Sequence, residues 1–120
     1  MDVESFRAYC LGKKGVEETL PFGDDTLVFK VMGKAFALCG LNSEELSVNL
    51  KCDPERAIEL REEYDGQITP GYHMNKKHWN TVYFERDLST VLLHELIDHS
   101  YDLVVKGLTK KLRQELEELE

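Results

Sequence analysis

Apolar residues recur along the chain in two rhythms, and the change from one to the other marks out the elements. From Asp2 to Leu11, Val3, Phe6, Tyr9 and Cys10 fall at helical spacing, and Gly12 and Gly15 then stop the helix. Between Thr26 and Gly40 the β-rich runs LVFKVM and AFALCG flank Gly33-Lys34, a pairing that predicts a tight hairpin with a positive φ at the glycine. Leu46, Val48 and Leu50 alternate strictly with Ser47, Asn49 and Lys51, the pattern of a half-buried strand. Asp53-Pro54 then supplies an N-cap and a proline at the first helical position. A helix is expected from there through Ala57, Ile58 and Leu60 to Tyr64, ended by Asp65-Gly66. Residues 67–71 approach a Pro-Gly turn, and Trp79–Phe84 alternates again with Val82 and Phe84 as the inward pair. A long helix from Ser89 to Lys106 carries Leu93, Ile97, Tyr101 and Val104 on one face, and Gly107 closes it. A charged tail helix from Thr109 follows, and its Leu112, Leu116 and Leu119 could pack on the chain itself or on a second subunit.

The order is helix, three strands, helix, further strands, helix, joined by hairpins rather than by regular βαβ units. That order predicts an α+β fold, an antiparallel sheet with helices packed on one face, in a single compact domain over residues 1–120. The length suits one hydrophobic core, and 42% hydrophobic with 32% charged residues is the composition of a chain that folds. No apolar run approaches the ~18 residues a bilayer crossing needs. The N-terminus opens with Asp2 and Glu4 rather than with a basic and then apolar leader, so no membrane association and a cytoplasmic location are expected. Cys10, Cys39 and Cys52 cannot all pair with one another and show no C-x-x-C spacing, so they read as small buried hydrophobes.

Candidate chemistry is sparse. HELIDH, residues 94–99, resembles a zincin helix only superficially: position 98 is Asp98, and His94 and His99 stand roughly 140° apart around a helix. Both are expected to be solvated. No nucleophile elbow or phosphate-binding glycine loop occurs. Adjacent carboxylates such as Glu17-Glu18 and Glu62-Glu63 lack the apolar shielding that would raise a pKa. No catalytic residue, metal site or cofactor is expected, and the chain reads as a binding protein rather than an enzyme.

The segment PGYHMNKKHWN, residues 70–80, is different in kind. It gathers Tyr72, His73, Asn75, Lys76, Lys77, His78 and Trp79, a mixture that suits a ligand with both negative charge and a flat ring. Strand alternation extends the idea. If Phe29, Val31, Val48, Leu50, Val82 and Phe84 face the core, then Lys30, Asn49, Lys51, Trp79, Thr81 and Tyr83 face the other way. The opposite face would then be mildly basic and partly aromatic, lined by the small residues Ala35, Ala37 and Cys39 and extended by Lys34, Lys76, Lys77 and Arg86. The net charge of −8 opposes general attraction to a polyanion, but the acidity sits mainly in the outer segments while residues 26–52 and 67–86 carry a small positive excess.

These residues resemble the MmcQ/YjbR family of small bacterial proteins. The likeness runs through Pro21-Phe22-Gly23, Phe29-Lys30-Val31, Gly33-Lys34, Phe36-Ala37, Leu50-Lys51, Pro54-Glu55, PGYHMNKKHWN and Ser100-Tyr101-Asp102-Leu103-Val104. The resemblance implies a CyaY-like, that is frataxin-like, fold and a predicted DNA-binding role of double-wing type, with no catalytic residue to carry over. Its motifs give Lys30, Lys34, Lys51, Tyr72, His73, Asn75, Lys76, His78 and Trp79 as binding residues. DNA is the first expected partner. An aromatic or phosphorylated small molecule held beside Tyr72 and Trp79 is the second, and a protein partner meeting acidic helix residues such as Asp2, Glu4, Glu17 and Glu18 is the third.

Overall fold

In the computed structural model, which describes residues 1–21, 23, 25–41, 44–72 and 74–119, ten elements follow one another along the chain. They are α1 (Val3–Leu11), β1 (Val16–Thr19), β2 (Thr26–Val31), β3 (Lys34–Gly40), β4 (Ser47–Lys51), α2 (Pro54–Glu63), β5 (Ile68–Pro70), β6 (Trp79–Tyr83), α3 (Thr90–Lys106) and α4 (Lys110–Glu118). The four helices begin where the sequence places their caps. The side chains of Asp2, Asp53, Ser89 and Thr109 each accept a backbone N–H from the first turn, satisfying donors that have no partner within the helix.

The strands form one antiparallel sheet in the order β1-β2-β3-β4-β6-β5. Helices lie on one side of it. Phe6 of α1 packs edge-on against both Phe29 and Phe84, and Tyr101 of α3 packs edge-on against Phe36. Leu93, Leu96 and Ile97 of α3 join Val48, Leu50 and Val82 in the same buried core. All three cysteines are free and buried there, and burial pushes the Cys10 thiol up to about 12 and those of Cys39 and Cys52 up to about 11. They are inert packing groups. Among the described residues no helix is long and apolar enough to cross a membrane.

Two strands were not foreseen. The run VEET of β1 has no apolar alternation, and it is held by its ladder to β2 and by the bidentate pairing of Glu18 with Arg7 of α1. β5 is three residues long and is recruited by pairing with β6. The β2–β3 hairpin turns on Met32-Gly33 rather than Gly33-Lys34: both residues have positive φ, 49° and 84°, as a two-residue turn of type I′ requires, and Lys34 already pairs with Val31.

The larger correction concerns β3. Phe29 pairs with Ala37 and Lys30 with Ala35, so Phe36 is an extra residue bulged into the strand. The bulge reverses the strand's phase. Ala37 and Cys39, expected on the uncovered face, pair with Leu50 and Val48 and lie in the core, and Leu38 takes their place outside. At the bulge the β3–β4 ladder is spliced by a helix side chain. The buried Ser100 hydroxyl of α3 donates to the Phe36 carbonyl and accepts the Lys51 N–H at 2.8 Å.

The tail helix packs on its own domain. Leu116 is buried, the Lys14 ammonium donates to the Glu117 carbonyl, and Gly15 makes room: a Cβ there would meet Leu116 Cδ1 at 2.5 Å, on a backbone with φ of 74°. The two histidines of α3 are half-buried rather than solvated. His94 stacks on Tyr9 at 3.9 Å, while His99 Nε2 accepts the Asp53 N–H at the start of α2. Near them the Asp98 carboxylate receives the Tyr9 hydroxyl at 2.7 Å and the Lys13 ammonium, joining α1 to α3.

Two predictions follow from these contacts. Replacing Ser100 with Ala strands a buried N–H and a buried carbonyl, each costing about 1–3 kcal/mol, so urea unfolding should show a loss of roughly 2–3 kcal/mol. An unchanged midpoint would mean that the ladder closes without the hydroxyl. Burial, and then the Arg56 charge, lower the pKa of His99 from its ordinary 6.5. Its neutral form is the one that accepts from Asp53. As pH falls through 6.5 the unfolded chain takes up the proton first, so the histidine's contribution is complete above that pH and is lost as pH falls toward the folded-state value. His99→Gln should flatten this part of the stability profile between about pH 7.5 and pH 5.5. An identical profile in the variant would remove His99 as the cause.

Candidate functional site

The face of the sheet turned away from the helices is built from alternate positions of each strand, most of them half-exposed and two, Val28 and Thr81, buried. β4 contributes Ser47, Asn49 and Lys51, alternating with the buried Val48 and Leu50. Its partner β6 brings Tyr83, Thr81 and Trp79 opposite those three residues. On the other side of the bulge, β2 and β3 add Thr26, Val28, Lys30, Ala35, Leu38 and Gly40. Placing these residues by register gives the face a polarity along its strands. At the end near Thr26, Ser47 and Tyr83 the Arg86–Glu45 pair lies over the Tyr83 ring, the middle near Leu38, Asn49 and Thr81 is uncharged among the described residues, and Lys30 and Lys51 share the far end with Trp79.

Lys51 lies directly across from Trp79, and Lys30 lies across from Ala35 on one side and Glu17 on the other. The two lysines are two strand spacings apart, ~10 Å at the backbone, with only the small side chain of Ala35 between them. Among the described residues neither ammonium takes part in an ion pair. Glu17 stands beside Lys30, so Lys51 is the less compensated cation.

The segment from Gly71 to His78 leaves the end of β5 and folds back over this face. The Tyr72 N–H donates to Thr81 Oγ1 at 3.0 Å, and the Asn49 amide donates to the Tyr72 carbonyl at 3.3 Å. The Thr81 hydroxyl in turn donates to Asn49 Oδ1, closing a ring of three hydrogen bonds that fixes the Tyr72 peptide above the sheet. Gly71 permits the turn by close approach. Its N–H donates to the Trp79 carbonyl at 2.9 Å, and a Cβ would stand 2.8 Å from Trp79 Cβ.

The same segment is gripped from the helix side. Arg61 of α2 donates to Asn80 Oδ1 at 2.7 Å, to the Lys76 carbonyl and to the Trp79 carbonyl at 3.3 Å. Asn80 is 2% exposed, and its amide reaches the Ala57 carbonyl. Within the turn the Asn75 side chain accepts the Lys77 N–H, and the Asn75 carbonyl accepts from Trp79. The His78 carbonyl accepts from Cys52. Lys76 and Lys77 are exposed at this tip, and His78 is half-buried.

Between the segment and the sheet runs a cleft of about 420 Å³. Leu38, Asn49, Thr81, Ser47, Thr26 and Gly40 form its floor, and Tyr72 and Met74 form its wall, so among the described residues the lining side chains are uncharged. Tyr72 as a whole is 70% exposed. The volume lies within the usual range for a small-ligand site, and the lining offers hydroxyl and amide groups beside apolar surface.

Of the expected site residues, the structure gathers Lys30, Lys51, Tyr72 and Trp79 on one face, with Asn75, Lys76, Lys77 and His78 at its rim. His73 lies outside the described residues. Lys34 shares the strand phase of the core-facing Val31, which turns it to the side opposite Lys30. Arg86 lies 3.9 Å over the Tyr83 ring at the opposite end of the face, where it is already paired: it meets both oxygens of Glu45 and donates to the Gly66 carbonyl. Arg61 and the cleft floor at Leu38 were not in the expected set. Arg61 sits in a glutamate-rich helix whose sequence reads as solvated surface, and Leu38 is exposed only because of the bulge. Among the described residues no group of three or more His, Cys, Asp or Glu side chains is placed to hold a metal ion.

Comparison with known proteins points one way. The sequence model of the YjbR family matches residues 11–103. A protein of Escherichia coli O157:H7, described as uncharacterized protein YbdF, is 45% identical over 96 residues, which are 80% of this chain and 78% of that one. Uncharacterized protein YjbR of Escherichia coli K12 is 31% identical over 99% of this chain and 100% of its own. A crystal structure of a Deinococcus radiodurans protein of the DUF419 domain family superposes with a TM-score of 0.88 at 45% identity, covering 96% of this chain and 87% of that one. A crystal structure from Pseudomonas syringae gives 0.74 at 31% identity, covering 86% and 98%.

Arg61 provides a test of how the site is held. Arg61→Met removes a charged donor from Asn80 and from two carbonyls, and hydrogen bonds of this kind are worth about 1.5–3 kcal/mol. Stability should fall by roughly 2 kcal/mol, and hydrogen exchange at the Trp79 and His78 amides should accelerate more than in β2. Equal acceleration throughout the sheet would show that Arg61 supports the whole fold rather than the segment.

Proposed function

The chain belongs to the YjbR family, and from the face described above we propose that it is a non-catalytic binding protein whose uncovered sheet face takes nucleic acid. The observation that carries this reading is the placement of Lys30, Lys51 and Trp79 at one end of a helix-free face, beside an uncharged cleft walled by Tyr72. Phosphate meets the two ammonium groups, and bases meet the rings and Leu38. This division of labour between backbone charge and flat apolar surface is how sequence-tolerant nucleic-acid binders work. The six-stranded antiparallel sheet with helices on one side also fits the CyaY-like architecture that the family resemblance implies.

Few phosphates are neutralised by so small a patch, so binding is weak and strongly salt-dependent. The cleft, lined by uncharged side chains among the described residues, favours a second reading, a small aromatic ligand held without its phosphate being read. Salt separates the two. In the first, affinity for an oligonucleotide falls with salt at a log–log slope of about −0.7 per neutralised phosphate on a single strand. In the second, affinity for the small ligand barely changes.

The double variant Lys30→Gln/Lys51→Gln should weaken oligonucleotide binding and reduce that slope by roughly 1. Lys110→Gln/Lys111→Gln, which removes the same charge from α4, should leave both unchanged. Fluorescence anisotropy at two salt concentrations measures each quantity. Equal weakening by the two variants would reduce the effect to net charge and withdraw the face as the site.

A further inference from the structure

Beyond its lysines, the face carries a cleft of about 420 Å³. The cleft is walled on one side by the exposed Tyr72 and by Met74 and floored by Leu38, Asn49 and Thr81. Its wall does not hang free: the hydrogen-bond ring of Tyr72, Thr81 and Asn49 holds the Tyr72 backbone at a fixed height over the floor, through groups that are not the phenol ring itself. Lys51 follows Asn49 by two residues on the same face of β4, ~7 Å along the strand, so its side chain leaves the strand just beyond the Asn49 side of the cleft. A flat ring entering beside Tyr72 thus brings the negative group attached to it toward Lys51 and Trp79.

We propose that this cleft seats a single unpaired nucleobase against the Tyr72 ring, with its phosphate toward Lys51, so that the protein selects single-stranded over duplex nucleic acid. This rests on the nucleic-acid reading above and adds the form of the partner to it. A base within a duplex is stacked on both faces and paired at its edge, and bringing it into the cleft requires extruding it, at a cost of a few kcal/mol. A strand already unpaired offers the same phosphates without that cost. Duplex therefore gains only the contacts of Lys30, Lys51 and the rim lysines, whereas a single strand gains those and the stacked base.

Asn49 and Thr81 act as positioning residues in this arrangement. They hold the wall through its backbone, and their side chains face the cleft without charge, so the floor accepts different bases without reading one of them strictly. Stacking on an aromatic side chain is worth about 1–3 kcal/mol per base and tolerates any base, because each presents a π face.

The test titrates a short labelled oligothymidylate, the same strand with abasic sites, a duplex of equal phosphate number and thymidine monophosphate, all at low salt. The oligothymidylate should bind roughly ten-fold more tightly than either the abasic strand or the duplex. Tyr72→Ala should abolish that margin, and Tyr72→Phe, which keeps the ring, should preserve it. Unchanged stability of the Ala variant toward urea keeps the comparison free of unfolding. Duplex or abasic strand binding as tightly as the intact strand would overturn base seating while leaving nucleic-acid binding in place. Thymidine monophosphate binding as tightly as the strand would overturn it in favour of a free nucleotide. Absence of binding by all four would overturn both readings together.

Discussion

A single hydroxyl decides which way the middle of the sheet faces. Ser100 of α3 bridges the Phe36 carbonyl and the Lys51 N–H at the point where the direct ladder between β3 and β4 ends. A bulge leaves backbone groups without strand partners, and buried groups of that kind cost more than a typical hydrogen bond returns. By satisfying both groups from the helix layer, Ser100 allows Phe36 and Ala37 to point successively into the core. The reversal of phase then fixes everything downstream in β3: Cys39 inside, Leu38 outside, and with Leu38 the apolar floor of the cleft. Core and cleft depend on the same bond, although they lie on opposite sides of the sheet.

The segment carrying Tyr72, Lys76 and Lys77 is likewise held from both sides. Arg61 reaches it from the helix layer through three acceptors, and the Asn49–Thr81 pair holds it from the uncovered face. A surface segment of this composition would ordinarily be mobile. Here the backbone is tied at Tyr72, Lys76 and Trp79 while Lys76 and Lys77 remain exposed, an arrangement that lowers the ordering cost of any contact they make. Arg61 also explains how a fully polar Asn80 can occupy an inward position on β6 next to Val82. The amide is satisfied on both sides, by Arg61 and by the Ala57 carbonyl, so its burial costs little.

Local signals made much of the fold legible. The helix starts at Asp2, Ser89 and Thr109, the cap at Asp53, the alternation of β4 and the inward pair Val82 and Phe84 are set by neighbours in sequence, and they were read in place. What escaped depends on distant partners. β1 and β5 have no pattern of their own and exist because β2 and β6 offer them an edge. The bulge at Phe36 looks like ordinary alternation until Ser100, sixty-four residues away, is known to fill the gap it leaves. The candidate site divides along the same line. Lys30, Lys51 and Trp79 could be assigned a face from strand period alone, whereas the cleft, Arg61 and the diversion of Arg86 to Glu45 arise only from contacts across the chain.

Charge sets the last constraint on what this face can do. With a net charge of −8 the molecule repels a polyanion at long range, yet the Debye length at physiological salt is ~8 Å, comparable with the spacing of neighbouring groups on the face. Beyond that distance the acidic helices are largely screened from a phosphate at Lys51. They also lie behind the sheet, on its covered side. Arg7 is occupied by Glu18, Arg86 by Glu45 and Lys13 by Asp98, so much of the acid near the sheet is neutralised internally while Lys30 and Lys51 are in no such pair among the described residues. Weak long-range repulsion combined with short-range attraction slows encounter and rewards only partners that reach the cleft. Under the proposed reading, such a surface would discriminate by fit rather than by charge.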